Sequence, residues 1–452
     1  MRHVRFATFA FDLGIYDQAT WLLSEGRTFM TVRGLHVFAH HASPALLVYA
    51  PAYWLGAGPE LLNASMVVSQ ALGAVPVYLI ARERLGSRWV PVALAATYLL
   101  HPSLQVFAWE SFHPDVMAMT PLLFAWWFAL RKRWGWFALA LVYAVSWKED
   151  AALYVAALGV VLLLMRLGRW RVGLLTAGAG AAWFLFVNRW LIPTAASSDQ
   201  AFYDTFFGEL GSGPFEIVRN MVTNPTLVTR RALAPDAITY YWELFAPYAL
   251  VPLAAPIVLL AAAPQLLVNI LSVHGFTRES GFHYSALPLT AMTIAMAEAV
   301  ALLRRVHWQR AAAGVVLFAS LAGSIAWGLS PIGTRYDDGW WPLEEDRQAV
   351  KAEAVASVRE GDRVTATYQF VPHLSHRDEI YDWPNPFVPA NWGNGPGAKP
   401  HEGLGADVLV LDVTLFAEKD HKLLDRLLRD DFEVVYDEQG IVVARRPNRP
   451  RR

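Results

Sequence analysis

The sequence contains no cysteine, which excludes disulfides, thiol nucleophiles and thiolate metal sites. It is also poor in charge. Only 17% of its 452 residues are Asp, Glu, Lys or Arg, against about 25% in an ordinary soluble domain. The 38 basic and 39 acidic residues leave a net charge of −1, without the basic excess of a general nucleic-acid binder. No Walker motif or glycine-rich phosphate loop is present, so nothing couples the chain to nucleotide hydrolysis. No cleavable signal peptide is evident, because the basic stretch at residues 1–10 runs into Phe11-Asp12 rather than an apolar core. No short-period repeat or low-complexity tract breaks the chain.

What is present is apolar. Hydrophobic residues make up 55% of the chain, the mean hydropathy is +0.29, and there are 19 Trp, a residue that sits well at the lipid–water boundary. Segments apolar enough to span a bilayer are Leu61–Ala81, Trp89–Phe107, Pro114–Leu130, Trp134–Trp147, Ala151–Leu167, Arg171–Leu191, Ala237–Leu253, Pro256–Ser272, Tyr284–Leu303 and Arg310–Leu329. Several fall short of the ~20 residues of a perpendicular span, Trp134–Trp147 most of all. Their connections alternate. One set is basic: Arg82 to Arg88, Arg131 to Arg133, Arg166 to Arg171 and Arg304 to Arg310. The positive-inside rule puts these in the cytoplasm. The other set, residues 12–45, 108–115, 148–150, 192–236 and 273–283, carries acids and histidines and falls on the opposite face. The alternation requires a tight hairpin near Pro252 and Pro256. Residues 12–60 then form a first external loop. With no span ahead of it, either residues 1–11 are the remnant of one or this N-terminus is translocated without one; the former is the favoured reading, with about 20 further apolar residues expected before Met1.

The fold class expected is an α-helical polytopic membrane protein, residues 1–334, followed by a small extracytoplasmic α/β domain, residues 335–452. In the latter, Leu343–Val358 has helical spacing of Leu343, Val350, Ala354 and Val358. Strand-like runs occupy Arg363–Tyr368, Asp407–Val413, Phe432–Tyr436 and Ile441–Ala444. Lys419–Arg429 is an amphipathic helix, and Pro384–Pro400 is a loop.

Polar residues gather on one face. Asp12, read alone, is a helix N-cap ahead of the stripe Ile15, Ala19, Leu22, and Asp17 is a solvated helix residue. His40-His41 is an adjacent pair at the membrane surface, suited to phosphate or metal; a lone His there would be structural. Glu110 and His113 share a face if their segment is helical, with Asp115 close behind; the bland alternative is an interfacial loop. Lys148-Glu149-Asp150 is equally an ion-pair cluster at a helix start. Arg278, Glu279, His283 and Tyr284 stand where a span begins, and ionisable groups at membrane depth point to function. Together these groups suit a reaction on a lipid-borne polar head group. A carboxylate can act as general base, and cations can stabilise a phosphate leaving group.

The segments Phe11-Asp12-Leu13-Gly14-Ile15-Tyr16-Asp17-Gln18-Ala19, His41-Ala42-Ser43-Pro44, Glu110-Ser111-Phe112-His113-Pro114-Asp115, Lys148-Glu149-Asp150, His283-Tyr284 and Pro372-His373-Leu374-Ser375-His376-Arg377 resemble the membrane-protein family called domain of unknown function 2079. That family is grouped with the C-type glycosyltransferase superfamily, and the similarity runs over nearly the whole chain. The resemblance implies many helices with long external loops, and polyprenyl-phosphate-linked sugars as donors. It matches Asp12 to the superfamily's catalytic acid in the first external loop, with Asp17 as second candidate. The missing first span departs from the pattern.

The leading expectation is an inverting glycosyltransferase moving a sugar from a polyprenyl-phosphate donor to an extracytoplasmic envelope acceptor. Asp12 would be general base. Lys148, Arg278 and His283 would hold the donor phosphate, while Glu110, His113 and Asp115 would bind sugar or a divalent cation. His40, His41, Glu149 and Tyr284 complete the substrate-binding set. No other cofactor and no nucleic-acid partner is expected. A transporter or lipid-handling membrane protein is the alternative, but a transporter's ionisable residues should lie near span centres. A non-catalytic scaffold is the third reading.

Overall fold

The computed structural model describes residues 2–196, 206–211, 213–337, 347–393 and 405–447. Among these, four helices are long and apolar enough to cross a membrane: Pro59–Arg84, Trp170–Ala196, His283–Ala301 and Val306–Trp327. A fifth crossing is made if Trp89–Leu99 and Pro102–Trp109 are counted as one bent span, with 50° between them. Pro102 breaks this helix, since it offers no N–H and disfavours a helical residue before it. The shorter apolar helices Pro114–Leu130, Trp134–Val145 and Asp150–Leu164 lie between them. The His283–Ala301 helix is central, 89% buried, whereas the Trp170–Ala196 and Val306–Trp327 helices bury only 22% and 28% of their apolar windows. Val68, Leu72, Leu139, Val142, Leu175 and Phe318 are accordingly exposed on the bundle's outer face, an apolar surface that a bilayer covers. The Asp150–Leu164 and Trp170–Phe186 helices approach closely at glycines. A Cβ on Gly159 would lie 2.2 Å from the Ala177 nitrogen, and one on Gly180 would lie 2.5 Å from that of Ala156, the small-residue contact of membrane helix pairs.

Two further expected spans are not continuous helices. Ala237–Leu253 and Pro256–Ser272 divide into the helices Pro235–Phe245, Pro256–Leu259 and Ala263–Leu271, with short 3-10 turns between. Prolines at 247, 252, 256 and 264 remove backbone donors, and Ala249 and Leu250 take left-handed conformations with φ of 50° and 58°.

The C-terminal unit is a sheet. Strands β1 (Phe29–Met30) and β2 (Leu35–His36) form a small hairpin in the first loop. Strands β3 (Val364–Ala366), β4 (Ile380–Asp382), β5 (Val408–Asp412), β6 (Glu433–Glu438) and β7 (Ile441–Arg445) form a five-stranded sheet in the order β4-β3-β5-β7-β6. The pairs β3–β4 and β3–β5 are parallel, while β5–β7 and β6–β7 are antiparallel. Alternation along β5 sorts its two faces. Leu409 and Leu411 pack with Leu423, Leu424 and Leu427 of the Glu418–Asp430 helix. Val408 and Val410 join Val350 and Ala354 of the Gln348–Ala356 helix in a cluster continuous with the bundle core. Strands β3, β5, β6 and β7 and both helices fall where the apolar periodicity places them. Strand β4, only three residues long, and the β1–β2 hairpin carry too short a pattern to be expected. Leu343 and part of the Pro384–Pro400 loop lie outside the described residues.

Candidate functional site

The helices return the polar segments to one end of the bundle. The Pro114–Leu130 helix starts at His113 and ends at Arg131; Trp134–Val145 leads back to Lys148; Asp150–Leu164 leaves again toward Arg166. The segments at 110–113, 148–150 and 283–284 therefore meet the loop that carries Asp12.

Asp12 does not cap a helix. It sits in a π-turn, Ala10–Gly14, at φ 70° and ψ −88°. The following helix, Ile15–Ser24, begins behind Gly14 without a side-chain cap. A left-handed Asp is strained, and such strain persists where the surroundings hold it. Here the sheet unit holds it. The Ala10 N–H donates to the Tyr368 carbonyl at 2.8 Å, and a Cβ on Gly14 would touch Val371 at 3.0 Å. The distortion turns the Asp12 carboxylate to His113, with Oδ1 3.1 Å from Nε2 and 45% of the Asp12 side chain still exposed.

His113 is fixed from three directions. Its Nδ1 donates to the Ser111 carbonyl at 2.7 Å, its ring stacks on that of His283 with centroids 3.8 Å apart, and the preceding Phe112 N–H donates to Asn63 Oδ1 at 2.9 Å. Burial works against charge on this imidazole, but the Asp12 carboxylate overrides it and raises the pKa to about 9. Asp12 is pulled the other way: although burial opposes its charge, His113 holds it below the usual carboxylate range. Glu110 is pushed up to about 7, chiefly by burial.

Glu110, His113 and His283 each offer a ligand atom, and these lie within 4.8 Å of one another. Glu110 Oε2 and His283 Nδ1 are buried without a hydrogen-bond partner, and His113 Nε2 meets Asp12 as an ion pair but without the angles of a hydrogen bond. Unsatisfied buried donor or acceptor atoms are costly, and two imidazoles with a carboxylate are a competent set for a divalent transition-metal ion.

Lys148 lies in the same region, buried, with Nζ 3.0 Å from Asp115 Oδ2 and 3.5 Å from Asp150 Oδ2, and 5.4 Å from the centre of the Tyr284 ring. Burial alone would lower its pKa, but Asp115 and Asp150 raise it well above the ordinary lysine value. Glu149 turns away to pin the first loop: it accepts from His41 Nδ1 at 2.7 Å and from the Ala42 N–H at 3.1 Å. His40 packs between Tyr16 and His41, and burial drives its pKa well down.

Two expected site residues lie apart from Asp12. Asp17 is fully buried, not solvated; it accepts hydrogen bonds from Tyr53 at 2.6 Å and Ser375 at 2.5 Å, and His376 Nε2 lies 3.1 Å away. It joins the first loop to the sheet unit. Gln18 and Thr31 reinforce that joint through the carbonyls of Arg377 and Ile380. Arg278 pairs with Asp236 at 2.6 Å and donates to the Ser272 carbonyl. Asn63, which fixes Phe112, and Tyr53, which holds Asp17, are residues that the sequence pattern does not single out; both are brought in by folding alone.

The fold is shared with solved structures. ArnT from Cupriavidus metallidurans bound to undecaprenyl phosphate aligns with a TM-score of 0.54 at 14% identity, over 97% of this chain and 94% of that one. Its apo state aligns at 0.55 and 14%, over 97% and 93%. The likeness bears out the expected helical membrane fold with external loops. No curated protein matches the sequence. The family model described as a predicted membrane protein, DUF2079, matches residues 2–443, and the chain therefore belongs to that family.

Proposed function

We propose that this protein is a membrane glycosyltransferase that moves a sugar from a polyprenyl-phosphate carrier to an acceptor hydroxyl, with Asp12 as general base. The observation that carries the reading is the pairing of a strained, part-exposed Asp12 with His113, 3.1 Å away. It lies beside the Glu110–His283 cluster, in a fold like that of ArnT, which has been solved bound to undecaprenyl phosphate. The acceptor oxygen would attack the anomeric carbon as the bond from that carbon to the phosphate oxygen breaks. The acceptor proton passes to Asp12, and the bonding pair leaves with the lipid phosphate. Attack opposite the leaving group inverts the anomeric centre. Asp12, held ionised by its positive neighbour, is ready to accept the proton at neutral pH.

Glu110 and His283 would hold a divalent cation, joined by His113 where the ion takes the place of the proton on its Nε2. Such an ion supplies positive charge for a phosphate oxygen. Carboxylates outnumber lysine around Lys148, so that lysine alone is a poor phosphate partner, and Arg278 is engaged by Asp236. Lys148 instead orients Asp115 and Asp150 beneath Tyr284. Asp17 is a positioning residue: it ties the Asp12 loop to the sheet unit.

The basic turns, at the far ends of the helices, would lie in the cytoplasm. The site end and a C-terminal domain of residues 335–452 would then face out. Cysteine scanning tests this in the cysteine-free chain. Arg88 and Ser357 are both exposed, and an impermeant maleimide should label Arg88→Cys only after the membrane is opened and Ser357→Cys in intact cells; the reverse pattern overturns the orientation. The activity is tested by incubating purified protein with labelled polyprenyl-phosphate sugars. Release of lipid phosphate dependent on an acceptor is expected. Its absence across donor sugars would favour a transporter or scaffold.

A further inference from the structure

Glu110 also borders a cavity of about 680 Å³, within the range of small-molecule sites. Trp109 and Glu110 reach it from the bent span, Asp236 and Glu243 from the Pro235–Phe245 helix, and Arg278 and Glu279 from the loop before the central helix. Its chemistry is lopsided. A carboxylate is an acceptor only, and the carboxylates of Asp236, Glu243 and Glu279, with the Glu110 carboxyl, line this space alongside Arg278 and Arg335. Arg278 is turned to Asp236 and to backbone carbonyls. Glu243 receives a hydrogen bond from Ser280 at 2.6 Å and retains acceptor capacity. Glu110 Oε2 is buried without a partner. Trp109, with the Arg2 guanidinium 3.8 Å over its ring, adds rigid apolar surface.

A ligand suited to these walls brings several hydroxyl donors and a hydrocarbon face, and no negative charge of its own, because a like charge facing carboxylates is repelled. We propose that this cavity binds a hydroxyl-rich glycosyl group without acidic substituents, and that acidic sugars are excluded from it. The proposal rests on the transferase reading only for the fate of that group; the recognition itself rests on the cavity. The glycosyl group comes either from the lipid-linked donor or from the acceptor.

Carboxylate footprinting tests this without requiring turnover. The full chain in nanodiscs is treated with a carbodiimide and glycine ethyl ester, and modification of Glu243 and Glu279 is followed by mass spectrometry. Methyl glucoside should protect both residues, while methyl glucuronide should protect neither, with labelling of Glu418 and Asp425 in the sheet unit unaffected. Glu243→Gln should raise the glucoside concentration needed to protect Glu279 about tenfold, as for one lost charge-assisted hydrogen bond. A polyprenyl-phosphate hexose that protects where a lipid-free oligosaccharide does not assigns the site to the donor; the converse assigns it to the acceptor. No protection by methyl glucoside, or equal protection by the glucuronide, overturns the proposal. Protection without any sugar transfer would leave this site standing and remove the transferase reading.

Discussion

The two ends of the helical bundle use charge in opposite ways. At one end Arg88, Arg131, Lys132, Arg133, Arg166 and Arg304 are all exposed. One bridge between neighbouring turns there, Arg131 to Glu83 at 3.0 Å, has both side chains about a third or more open to solvent; a second, Arg84 to Glu298 at 2.8 Å, buries only its carboxylate. At the other end Asp115, Lys148, Glu149 and Asp150 are each at most 4% exposed. Exposed charges cost little and set orientation. Buried ones must be paired or coordinated, because desolvation exceeds anything a single contact returns. A sequence holding both kinds in similar number separates them only through folding. What the contrast teaches is that the expensive end is the one to search for chemistry.

The contrast can be broken by substitution, and the largest stability effect belongs to Lys148. Lys148→Met removes the cation between Asp115 and Asp150, leaving two carboxylates buried together. A loss of roughly 3–5 kcal/mol is expected, read as a fall in melting temperature or failure to accumulate in the membrane. A protein as stable as the parent would show that the two acids take up protons without penalty. Asp17→Asn comes next. It keeps the shape but weakens the hydrogen bonds from Tyr53 and Ser375, for a loss of about 1–3 kcal/mol. Faster amide exchange at residues 10–20 and 372–378 should accompany it, and unchanged exchange would detach Asp17 from the joint. At the far end, Arg131→Ala should change stability by no more than about 0.5 kcal/mol.

A pH series sharpens the comparison. The His113 pKa is raised to about 9, so its bound proton contributes stability that is full below the ordinary histidine value and is lost as pH rises through 9. Glu110, pushed up to about 7, acts in the same direction: stability falls as pH rises from the ordinary carboxylate value through 7. Histidines that burial holds neutral, such as His40, act the other way below the ordinary histidine value, so the test lies above it: the melting temperature measured without added metal should decline from about pH 7 to about pH 9.5, and His113→Gln should flatten that decline. A melting temperature that rises over this window contradicts the His113 assignment.

The bundle, most of the sheet strands and the gathering of acids and histidines were legible because each follows from composition and period. Basic turns and apolar runs are local signals. The conformation of Asp12 was not legible. Its neighbours Ile15, Ala19 and Leu22 form a proper helical stripe, so a cap was the economical reading. The groups that hold its backbone in the left-handed region are distant in sequence: the Tyr368 carbonyl and Val371 pack on the turn, and His113 takes the carboxylate. The discontinuity at residues 246–262 was written in its prolines, but average hydropathy hides it. Two partners of Asp17, Ser375 and His376, lie in a segment that marked the family resemblance without revealing what it touches.

The central claim, that Asp12 removes the acceptor proton, is tested most directly by turnover of Asp12→Asn. The amide is nearly isosteric and can still accept a hydrogen bond, but it cannot take a proton from a hydroxyl. Release of lipid phosphate from a labelled polyprenyl-phosphate sugar should fall roughly 10²–10⁴-fold, with folding and donor binding nearly unchanged. Near-normal turnover by Asp12→Asn would contradict the account and leave Asp12 a residue that shapes the loop.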